Sequence, residues 1–142
     1  MSGGGISSAD YPQALRLLEA PFAICHLPPG EPLPPLWELD TEFLSVTRTP
    51  REITVICPES AVPTAVHAED GWRALVVEAP FELASAVGVL AALTRPIAAA
   101  GIALFAVSTW RTDFILVRND RLAEAVGALR AAGHRVEAEL PV

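Results

Sequence analysis

A chain of 142 residues with 51% hydrophobic and 19% charged content can bury a sizeable core, which excludes a disordered protein. Its net charge of -7 excludes the positive footprint that nucleic acid or an anionic membrane surface requires. Two cysteines without a CxxC pair, and three histidines without ligand spacing between them, exclude a recognisable metal site.

Met1 to Asp10 is rich in glycine and serine and reads as a tail, without the basic start and long apolar core of a secretory signal. Leu15 to Leu18 and Phe22 to Leu27 follow as two strand segments, parted at Ala20-Pro21. Pro28 to Pro35 holds five prolines in eight residues, so it is a stiff connector and neither helix interior nor central strand. Leu36 to Asp40 has room for one helical turn, with Trp37 as a packing anchor. Phe43 to Arg48 and Ile53 to Cys57 form a hairpin pattern around Thr49-Pro50, and Pro58 to Asp70 reads as loop. Cys25 and Cys57 both fall inside apolar runs and read as buried, reduced thiols.

From Gly71 the pattern becomes regular. Arg73 to Glu78 is a strand, and Glu82 to Ala100 a helix with Leu83, Val87, Leu90, Leu93 and Ile97 at helical spacing. Pro96 should kink or split that helix, because proline removes a donor and clashes one turn back. Leu83 to Val107 is apolar enough to raise the question of a membrane span. Arg95 stands at its middle, however, and an arginine at the bilayer centre costs roughly 2.5 kcal/mol or more. Gly101 to Arg118 then reads as strand, polar turn and strand, with both strand faces apolar and so both expected to be covered. Asn119 or Asp120 caps a second helix whose inner face carries Leu122, Val126 and Leu129. Gly133 stops it, and Arg135 to Leu140 closes as a last strand, giving the order βαββαβ.

The hairpin is also where the residues become specific. Gly-Ile-x-x-Phe-x-x-Ser-Thr-aromatic-x-Thr-Asp-Phe-Ile-Leu-Val, from Gly101 to Val117, resembles the tandem ACT-domain proteins related to the cytosolic arginine sensors. TRTPREITVIC at Thr47 to Cys57 and LAEAVGALRAAGH at Leu122 to His134 extend the likeness over most of Phe22 to Glu139. The resemblance implies an α+β fold: a ferredoxin-like βαββαβ ACT domain at 71–142, preceded by a reduced, mostly β ACT-like half at 13–70 and a flexible tail at 1–12.

Family members are typically non-catalytic amino-acid sensors that assemble edge to edge. Carried onto this chain, the resemblance places the ligand's backbone against the main chain of Ala103 and Leu104. Ser108, Thr109, Trp110 and Asp113 belong to the turn that closes over it, and Leu83, Ala86 and Gly88 to the floor. Asp113 is the negative group suited to an ammonium or guanidinium, and Trp110 offers a stacking face. Ala86 stands where the arginine-sensing relatives place an acid, so the side-chain end of the pocket is more apolar than an arginine site.

The same residues also have plainer roles. Asp113, Ser108 and Thr109 can serve only the turn backbone, Trp110 can pack over the hairpin, and Gly88 can serve helix packing alone. No nucleophile–base–acid set and no phosphate loop can be assembled, so the expectation is a non-enzyme without cofactor or metal. The expected setting is cytoplasmic and the expected partners are a small amino acid and a second copy of the chain, with no nucleic acid and no membrane. The alternative is a protein-interaction or enzyme-regulatory accessory module without a ligand of its own.

Overall fold

The computed structural model describes residues 12–33, 35, 38–78 and 88–140. Their contacts divide into two units: Leu18–Arg73, and Ala74 onward together with the residues up to Leu17. The boundaries expected from sequence, at 13 and 71, differ from these at both ends. The strand Ala14–Leu17 (β1), expected in the N-terminal module, belongs with the C-terminal residues.

In the Leu18–Arg73 unit, strand Phe22–Leu27 (β2) pairs antiparallel with Ile53–Pro58 (β4), which pairs antiparallel with Ser45–Arg48 (β3). The next strand, His67–Val77 (β5), pairs through its first half with β2. It begins inside the segment read as loop. Backbone pairing needs no apolar side chain, so Glu69 opposite Ile24 and His67 opposite His26 join the ladder while staying exposed. Inward-facing Ala23, Cys25, Leu27, Ile53, Val55 and Cys57 form the core, and Phe22 meets Phe43 edge to face at 5.7 Å. Leu36 and Trp37 lie outside the described residues, as does Pro34.

In the other unit the second half of β5 pairs antiparallel with β1, whose other edge takes Arg135–Glu137 (β8) in parallel. Asp113–Arg118 (β7) pairs with β5, and Leu104–Ser108 (β6) pairs with β7, so β6 is the outer strand among the described residues. Helices Val89–Ala99 (α1) and Leu122–Ala131 (α2) complete the βαββαβ order. They pack Val89, Leu93, Ile97, Leu122, Val126 and Leu129 onto the face formed by Leu15, Leu75, Val77, Ile115, Val117 and Val136. Both helices stop as glycine allows. Gly101 (φ 73°) and Gly133 (φ 98°) take left-handed backbone, and the following N–H reaches back to Ile97 at 3.2 Å and Leu129 at 3.0 Å.

Of the kink or split expected at Pro96, the split does not occur: α1 runs through it. Two further expectations are corrected here. The start of α2 carries no side-chain cap; a 3-10 turn at Asn119–Arg121 leads in, and Arg121 grips Glu124 at 3.0 and 3.1 Å. Finally, the second face of the hairpin is only partly covered. Leu104 and Ala106 pack on the core, but Phe105 on the opposite face is 36% exposed.

Candidate functional site

The turn between β6 and β7 is built almost entirely from hydroxyls. The Thr109 N–H donates to the Thr112 carbonyl at 2.8 Å, and the Thr109 hydroxyl both donates to that carbonyl and accepts from the Thr112 N–H. This double clasp leaves Trp110 and Arg111 at the tip, with Trp110 79% exposed. The Thr112 hydroxyl donates to the Val77 carbonyl at 2.7 Å, anchoring the tip to the end of β5. Thr112 was no candidate from sequence; its signal was the repeat of threonine three residues on, which closes the turn on both sides.

Beneath the tip, Ser108 and Asp113 stand opposite each other in the ladder, and the Ser108 hydroxyl donates to the Asp113 carboxylate at 2.7 Å. Asp113 is only 4% exposed, an unusual position for a carboxylate whose described hydrogen bond comes from a neutral hydroxyl. The structure therefore brings Ser108, Thr109 and Asp113 together and ties each into the hairpin. Trp110 projects outward and closes over nothing.

Ala103 is exposed, just before the outer strand, and Leu104 turns its side chain to the core, leaving its main chain at the edge. Gly88 is the N-cap of α1, in left-handed backbone at φ 82°, and its carbonyl accepts the Ala92 N–H at 2.9 Å. Leu83 and Ala86 lie outside the described residues. Among the described residues no group of three His, Cys, Asp or Glu is placed to hold a metal, and no helix is long and apolar enough to cross a membrane.

Family comparison gives this arrangement its class. Residues 67–131 match the ACT domain, and residues 20–65 match a family model for an N-terminal domain. A protein of solved structure from Agobacterium tumefaciens is 30% identical over 90% of this chain and 94% of its own, with a TM-score of 0.82. A Vibrio cholerae protein of unknown function, described as a possible transport protein, shares the fold at 18% identity and TM-score 0.69, covering 90% and 94%. So does the regulatory subunit of aspartate kinase from Thermus thermophilus in its ligand-free form, at 11% identity and TM-score 0.56, covering 80% and 93%. The chain is related to the Agobacterium protein and carries an ACT domain at residues 67–131. ACT domains are regulatory modules.

Proposed function

We propose that the chain is a non-catalytic sensor of a small amino acid, held at the β6–β7 hairpin where two copies meet along the β6 edge. The observation that carries this reading is the Asp113 carboxylate, almost wholly buried and hydrogen-bonded by Ser108. A neutral hydroxyl offsets only part of the cost of burying that charge, and a ligand ammonium would complete it. The outer strand supplies the remaining polar groups, since the backbone carbonyls and amides along the open edge of β6 suit a zwitterion. Trp110 is exposed enough to fold over an occupant, and Gly88 stands at the start of α1. The sequence has Ala86 where the arginine-sensing relatives place an acid, so an aliphatic or polar-neutral ligand is favoured over arginine, although kinship with the cytosolic arginine sensors is part of the same reading. The setting is the cytoplasm.

The test is a thermal-shift screen of the common amino acids. One of them should bind with micromolar to millimolar affinity, stabilising the fold by about 2.7 kcal/mol at a hundred times its dissociation constant. Asp113→Asn should abolish that shift. A second reading, an accessory module acting through its surface without a ligand, is favoured by the exposure of Phe105. A flat screen, with Asp113→Asn melting as the parent does, would leave that reading standing.

A further inference from the structure

The two cysteines take no part in that reading. Cys25 on β2 and Cys57 on β4 are 1% and 0% exposed. In the ladder Cys25 stands opposite Val55 and Cys57 opposite Ala23. The two side chains are therefore diagonal neighbours on one face of adjacent strands. Both border a small apolar cavity whose other walls include Leu33, Pro63 and Val66. Those three residues come from connecting segments outside the strands, so the cover over the sulfurs is loop. Loops open at lower free energy than the strands they cover.

We propose that Cys25 and Cys57 form an intramolecular disulfide that staples β2 to β4 when the chain meets a peroxide. One thiolate attacks a peroxide oxygen, the O–O bond breaks and hydroxide leaves, giving a sulfenic acid. The second sulfur attacks the sulfenic sulfur, an S–S bond forms and the oxygen departs as water. Two thiols and one hydrogen peroxide become one disulfide and two waters, the sulfurs oxidised and the peroxide reduced. Burial pushes both thiols up, so thiolate is scarce while the loops are closed and the reaction runs through their opening. The switch is therefore slow, and answers sustained oxidation.

The full chain is incubated with hydrogen peroxide, alkylated in denaturant and weighed. The expected product is a monomer lighter by two hydrogens that takes up no alkylating agent. Proteolysis should release a reductant-sensitive peptide pair containing Cys25 and Cys57, and the oxidised chain should melt at a temperature different from the reduced one. Recovery of two alkylated thiols overturns the proposal, as does oxidation to sulfinic acid without a cross-link. Because these readouts use the unmutated chain, the result does not depend on a variant folding.

Discussion

The Thr112 hydroxyl spans from the hairpin tip to the Val77 carbonyl, so one side-chain oxygen sets where the turn stands over the end of β5. Thr112→Val keeps the branched shape and removes that bond, so the chain should lose about 1 kcal/mol in a urea melt. Any amino-acid response should weaken with it, because the turn loses its anchor. Cys57 provides a separate test. Burial pushes its thiol from 9.0 up to about 12, with Cys25 and then Asp70 adding to the effect. The folded state therefore holds this proton more tightly than the unfolded chain does. That contribution is complete below the unfolded value and is lost as pH rises through the folded one. The urea midpoint should fall between about pH 9 and 11, and fall less steeply in Cys57→Ala. Among the residues of the candidate site, Asp113 was legible because an acid closing an apolar strand is conspicuous. Its burial was not legible, since that depends on which strands flank β7.

Pro96 shows what holds α1 together where it runs through a proline. Proline has no N–H to offer the carbonyl four residues back, which belongs to Ala92. That carbonyl lies 3.0 Å from His134 Nε2, while His134 Nδ1 accepts the Gln13 N–H at 3.0 Å. The second contact fixes the neutral ring with its proton on Nε2, donating to Ala92. The buried imidazole thus takes the place of the hydrogen bond that proline cannot make. His134→Ala should cost about 2 kcal/mol for two hydrogen bonds. In a Pro96→Ala background, where residue 96 regains its N–H, the loss should shrink by at least about 0.5 kcal/mol, and a double-mutant cycle reads that coupling. Periodicity revealed α1 and α2, and glycine revealed their ends, because both signals are local. The continuation of α1 through Pro96 was hidden because the histidine that meets the Ala92 carbonyl lies 42 residues beyond Ala92. The β6 strand raises a matching question at its outer edge. If copies pair there, Phe105→Lys should shift the chain to a monomer in light scattering, since a charge on that face opposes pairing. An unchanged dimer would place the contact elsewhere.

The C-terminal unit is not continuous in sequence. β1 lies between β5 and β8, hydrogen-bonded to both, with Leu15 buried in the core of that unit. No local pattern could disclose this, because a four-residue strand looks the same whichever module it joins. A fragment beginning at Gly71 lacks β1 and leaves β5 and β8 with a strand-wide gap between them. It should be molten or insoluble, and a sharp cooperative melt would contradict the assignment. The same feature bears on the chain's birth at the ribosome. Among the described residues, 18–73 hold β2, β3, β4 and the first half of β5, so these strands can pair as soon as they emerge. β1 emerges earlier still, yet it must wait for β8, translated after the other strands of that unit, before its second edge is filled. The sheet of that unit is thus finished only when the first of its described strands meets the last.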